Sequence, residues 1–127
     1  MSKIKIKGFI KSKNGNNTFI EEDAIKRENS IIYNKKDTNI NILLEENKII
    51  IKRKNKLFNN SLEFIKNEVT KSKYYINSYD KYFNIKIFTK ILDINSNILK
   101  IKYDLYIENE KQDEYTFELN WRWNKWT

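Results

Sequence analysis

Apolar residues recur at every second position through much of this chain. Between Leu99 and Ile107 the odd positions are Leu99, Ile101, Tyr103, Leu105 and Ile107, and the even ones through Glu108 are Lys100, Lys102, Asp104, Tyr106 and Glu108. Successive side chains of a strand point to opposite faces, so this stretch reads as a strand with one face in a core and one in water. Tyr115, Phe117, Leu119, Trp121 and Trp123 repeat the pattern against Thr116, Glu118, Asn120, Arg122 and Asn124, which leaves Glu108 to Asp113 as a hairpin loop. The same rule picks out Ile4, Ile6, Gly8 and Ile10; Ile40, Ile42 and Leu44; Ile49 and Ile51; and Phe83, Ile85 and Ile87, running on towards Ile91. That makes at least six strands.

Lys13 to Asn17, Glu45 to Asn47 and Asp93 to Asn97 separate these strands, and all three are rich in residues that tolerate turn dihedrals. Short strands joined by short turns, with no helical crossover between them, predict an all-β fold: a small closed antiparallel β-barrel of about eight to ten strands. One segment is ambiguous. Leu62, Ile65 and Val69 have helical spacing behind an Asn60/Glu63 capping box, yet Leu62 and Phe64 also alternate, and the segment is read as a strand. No repeat, linker or Gly/Pro-rich boundary divides the 127 residues, so a single domain spans 1–127.

The stretch Ile49-x-Ile51-x-Arg53, Leu62-x-Phe64, Phe83-x-Ile85-x-Ile87-x-Thr89 and Ile101-x-Tyr103-x-Leu105-x-Ile107, preceded by Ile32-Tyr33 and Thr38-x-Ile40-x-Ile42, resembles the YwiB-like family of bacterial proteins. The resemblance implies a calycin-like, lipocalin-related β-barrel in the cytoplasm, and carries over no catalytic residue. Two departures stand out. The family's Arg-x-Gly is Arg53-Lys54-Asn55 here, and its turn proline and glycine before Phe83 are replaced around Tyr79-Asp80-Lys81. Asparagine can supply a left-handed turn residue, so the first departure is compatible with the same fold.

Composition narrows the function classes. The chain has no His and no Cys, which removes the usual general base, thiolate nucleophile and zinc-thiolate ligands; no cofactor or metal site is expected. An enzyme is the third reading, with the carboxylates Glu21-Glu22-Asp23 and Glu45-Glu46 read as solvated surface. No apolar run is long enough to span a membrane, and Met1 to Lys7 alternates charge with isoleucine; the expectation is a cytoplasmic protein with no membrane partner. The net charge of +8 invites a nucleic-acid reading, but only Arg27, Arg53 and Arg122 are arginines. Arginine is the side chain best suited to bidentate phosphate and guanine contacts, so specific nucleic-acid binding is not expected. Lysine-rich outer faces such as Lys3/Lys5/Lys7 and Lys100/Lys102, with Tyr75 and Tyr106 as stacking rings, carry the alternative of a nucleic-acid-associated basic protein.

The leading expectation is a non-catalytic barrel that binds a small apolar ligand or a protein partner. Gly8 lies in phase with Ile4, Ile6 and Ile10, and its missing side chain predicts one small, largely apolar pocket with the phenol of Tyr74 or Tyr103 as polar anchor. Arg53 continues the phase of Ile49 and Ile51 and points inward near a strand end, where it either anchors a ligand or plugs the barrel. A plug needs a partner, either Glu21 or Asp23 on a facing strand, or the indole of Trp121 or Trp123. Gly8, Arg53, Tyr74, Tyr103 and Trp121 are therefore the candidate interior binding residues.

Overall fold

The computed structural model describes residues 2–77 and 81–123. The Tyr79-Asp80 turn, Asn124 and Trp126 lie outside the described residues. Ten strands follow one another along the chain: β1 (Ser2–Ser12), β2 (Asn17–Lys26), β3 (Ser30–Lys35), β4 (Thr38–Leu44), β5 (Ile49–Lys54), β6 (Phe58–Phe64), β7 (Val69–Ile76), β8 (Lys81–Asn95), β9 (Ile98–Ile107) and β10 (Glu110–Trp123). Each pairs antiparallel with the next, and β10 pairs with β1 to close the barrel. An even number of up-and-down strands sends the last one antiparallel to the first, so the ring closes without an exposed edge. Among the described residues no helix is long and apolar enough to cross a membrane.

The alternating isoleucines face inward. Ile4, Ile6, Ile42, Ile87, Leu99, Ile101 and Leu119 are all almost fully buried, and Leu105 packs against them from a half-buried position. Complete burial of one such side chain stabilises the fold by roughly 1.5 to 3 kcal/mol, and the interior is built from repeats of that term.

Two bulges change the phase that periodicity predicts. In β8 the register shifts between Thr89 and Ile91, so Leu92, paired with Ile101, takes over the inward phase from Thr89 and Ile91 is turned outward. In β10 the register shifts between Lys111 and Asp113, and the strand starts at Glu110 instead of Tyr115, through a run of polar residues that carries no alternation. The hairpin loop expected from Glu108 to Asp113 is in fact only Glu108 and Asn109, both with positive φ (49° and 69°), as a two-residue type I′ turn requires. One extra residue in one strand inverts every later side chain, which is why alternation alone misplaced Ile91.

The ambiguous segment resolves as strand and then turn. Asn60 to Phe64 belongs to β6, Asn67 takes a positive φ of 64°, and Val69 opens β7. Asn55, expected as a left-handed residue, works differently: its side-chain oxygen accepts from the backbone N–H of Leu57 (2.8 Å) and Phe58 (2.9 Å) and so holds the β5–β6 turn.

The barrel is laddered unevenly. β2 and β3 pair only at Ile25/Ile32 and Lys26/Ile31, so they part towards the start of β2. There the ammonium of Lys35 donates to the carbonyl oxygen of Phe19 at 2.8 Å. β6 and β7 pair only from Phe58/Ile76 to Asn60/Tyr74, and at the other end the Thr70 hydroxyl donates to the Glu63 carbonyl.

Candidate functional site

Where β2 and β3 part, a pocket of about 120 Å³ enters the barrel. Ile10, Ile20, Ile40, Ile51 and Leu62 wall it, and the rings of Phe64, Tyr103 and Phe117 complete its apolar lining. The polar groups facing it are Thr18, Tyr33, Lys35 and Arg53. Each of the central ones arrives by the period-2 rule: Tyr33 from β3 in phase with Ile31, Arg53 from β5 in phase with Ile49 and Ile51, and Tyr103 from β9 in phase with Leu99 and Ile101.

The guanidinium of Arg53 sits with its central carbon 5.9 Å from the centroid of Phe58. Its Nε is buried without a hydrogen-bond partner, and among the described residues no carboxylate lies within ion-pair distance of it. Asn60, opposite Arg53 on the ladder, has a buried Oδ1 in the same condition. Burial pushes the Tyr33 phenol up to about 12; Arg53 opposes the shift and the charge of Glu22 adds to it. Burial also raises Tyr103, again against the pull of Arg53. Both hydroxyls therefore keep their protons at neutral pH and can donate. Tyr103 is held by neighbouring rings, edge-on to Phe64 at 4.8 Å and stacked on Tyr115 at 5.5 Å.

Of the five interior residues singled out by sequence, the pocket brings together Arg53 and Tyr103. Tyr74 stands half-buried beside Phe58, with ring centroids 5.5 Å apart, and does not line the pocket. Trp121 is buried across the ladder from Ile6 and lines a separate groove over β1, β2 and β10. Gly8 leaves no space at all. A Cβ there would lie 2.1 Å from the backbone oxygen of Glu118, so the glycine lets β10 approach β1 closely, and backbone occupies the volume where a pocket was expected.

The plug partners are likewise placed elsewhere. Glu21 and Asp23 face outward and pair with Lys7 (3.8 Å) and Lys5 (2.8 Å). The β2 carboxylate in the inward phase of Ile20 and Ala24 is Glu22, expected from the sequence as solvated surface. Thr18, Tyr33 and Lys35 were also missed, because β2 and the end of β3 put polar residues on the inner face and so hide the alternation.

A larger concavity is a groove of about 340 Å³ over β1, β2 and β10. Its Lys5, Lys7, Glu21 and Asp23 already pair with one another, so most of its charge is matched. The Lys100/Lys102 face is balanced as well. Lys102 pairs with Glu114 at 3.1 Å, while Lys100 has Asp93 and Glu118 as its cross-strand neighbours. Lys90, at the β8 bulge, bridges Glu114 (3.1 Å) and the nearly buried Asp104 (3.3 Å). Among the described residues no three His, Cys, Asp or Glu side chains converge as a metal site would.

No family model matches the sequence, and no curated protein matches it significantly. Among solved structures the chain is similar to the crystal structure of the YwiB protein from Bacillus subtilis. The two are 14% identical, with a TM-score of 0.61 over 97% of this chain and 91% of that one. At that identity the likeness concerns the fold: a YwiB-like all-β barrel.

Proposed function

We propose that this chain is a cytoplasmic member of the YwiB-like, calycin-type barrels and a non-catalytic binding protein that holds a small, mostly apolar molecule in the interior pocket. The observation that carries this reading is the pocket itself. Between Thr18, Tyr33 and Arg53 the barrel is walled by aliphatic and aromatic groups and left open. An apolar recess with a few convergent polar groups is the usual form of a small-molecule site. The test is a heteronuclear NMR titration with toluene and indole. Shifts should concentrate at Ile20, Ile40, Ile51 and Leu62 and disappear in Leu62→Trp, whose ring would fill the space. Probes that move none of these residues would overturn the reading and turn attention to protein partners on the outer faces.

A second reading rests on the outer face of β7 to β9. Lys71 stands directly opposite Lys86, Lys86 opposite Tyr106, and Tyr75 opposite Tyr82, whose ring lies 4.4 Å from the Lys73 ammonium. Like charges across a ladder are unfavourable unless an anion joins them, and lysines interleaved with rings suit a single-stranded nucleic acid. Fluorescence anisotropy with labelled oligo(dT) at about 150 mM salt tests it. Binding that weakens steeply with salt and drops in Lys71→Gln/Lys86→Gln supports this reading, and equal binding by that variant removes it.

A further inference from the structure

We infer that the occupant of the interior pocket is a small monoanion, a carboxylate on an apolar body about the size of a benzene ring. The inference rests on the reading of that pocket as a binding site and names the chemistry of its ligand.

Charge is the first argument. Two of the twelve lining residues, Lys35 and Arg53, are cations, and none is a carboxylate. Glu22, although in the inward phase of β2, does not line the pocket. The Lys35 ammonium is exposed at the mouth, but Arg53 is half-buried with its Nε fully buried. That part of the guanidinium is desolvated without a counter-charge within ion-pair distance among the described residues, and the cost falls when an anion enters beside it.

Hydrogen bonding is the second. Arg53 carries a buried Nε with no partner among the described residues, and guanidinium is a planar fork that matches a carboxylate. Tyr33 and Tyr103 line the same space, both feel the Arg53 charge, and both stay protonated at neutral pH, so each can donate to an oxyanion. A cation in this pocket would meet two positive charges, and a neutral apolar molecule would leave the guanidinium unanswered.

Size and access are the third. An apolar cavity of about 150 Å³ holds benzene, so a pocket of about 120 Å³ that is open at one side suits an apolar body of roughly six heavy atoms bearing one charged group. The mouth lies beside the stretch where β2 and β3 share no ladder, and Lys35 reaches across it to Phe19.

Benzoate, benzyl alcohol and benzylammonium share one body and differ in charge, so NMR titration with the three at neutral pH separates the possibilities. Benzoate should bind at least tenfold tighter than benzyl alcohol, and benzylammonium more weakly than either. Arg53→Gln should remove the benzoate preference and leave benzyl alcohol unchanged, and Tyr33→Phe should weaken benzoate alone. If Arg53→Gln does not fold, Arg53→Lys replaces it: with the charge kept and the fork lost, part of the preference should survive. Equal binding of benzoate and benzyl alcohol would overturn the anion while sparing the apolar pocket. Binding of none of the three would overturn the pocket reading itself. A benzoate preference untouched by Arg53→Gln would overturn the assignment to this arginine.

Discussion

The ammonium of Lys35 reaches the carbonyl oxygen of Phe19, 2.8 Å away, across a part of the barrel where neighbouring strands share no ladder. One side-chain contact thus stands in for several backbone hydrogen bonds at the pocket mouth. Replacing Lys35 with Met should cost about 1 kcal/mol or less, because the ammonium is exposed and water competes for it. The local effect should be larger than the global one. Amide exchange along β2 from Thr18 to Asp23 should accelerate in Lys35→Met while β8 and β9 keep their protection. Unchanged exchange in β2 would show that the contact does not hold the mouth together.

Gly8 makes a different demand. With a Cβ placed 2.1 Å from the Glu118 oxygen and 3.1 Å from the Leu119 Cα, Gly8→Ala forces two backbones apart, and no flexible side chain can yield instead. The expected loss is about 2 to 3 kcal/mol, at the upper end of the usual cost of overpacking. Denaturant melts of the variant would measure it. A Gly8→Ala variant as stable as the parent would mean that β1 and β10 can separate freely there.

The barrel was legible where its strands are apolar on one face. β1, β4, β9 and β10 announce themselves through Ile4, Ile42, Ile101 and Phe117, all buried as their phase requires. β7 does not, because its inward positions include Thr70 and Ser72, and β2 is masked in the same way by Thr18 and Glu22. Those strands border the two sparsely laddered seams. Arg53 and Tyr103 were within reach of periodicity, since each continues an apolar phase. Their company was not: which strands face each other across a barrel depends on its closure and shear, and no local pattern carries that information.

Arg53 itself should be dispensable for stability. Breaking a buried ion pair costs roughly 3 to 5 kcal/mol because a charge is left behind, but no described carboxylate is paired with this guanidinium. Arg53→Met keeps the volume, packs against Phe58, and removes a buried donor that has no acceptor. Stability from chemical unfolding should stay level or rise by up to about 1 kcal/mol. A loss near 3 kcal/mol or more would reveal a structural partner and return Arg53 to the role of a plug.

The buried phenols predict how stability responds to alkali. Tyr33 is raised from 10.0 to about 12, chiefly by burial, with Arg53 opposing and Glu22 assisting. Tyr103 is shifted in the same direction, also by burial first. The unfolded chain releases the Tyr33 proton near pH 10, while the folded chain holds it until about 12. The stabilising contribution is therefore complete below pH 10 and lost as the pH rises from 10 to 12, and for Tyr33 alone it amounts to about 3 kcal/mol. Urea melts across that range, read beside tyrosinate absorbance, should show stability falling before these phenols ionise in the native protein. In Tyr33→Phe the fall should be shallower by close to one proton's worth, about 1.4 kcal/mol per pH unit in the middle of the window. A variant whose stability declines with the same slope as the parent would mean that the Tyr33 hydroxyl already meets solvent at the pocket mouth, and its part in holding an oxyanion would fall with it.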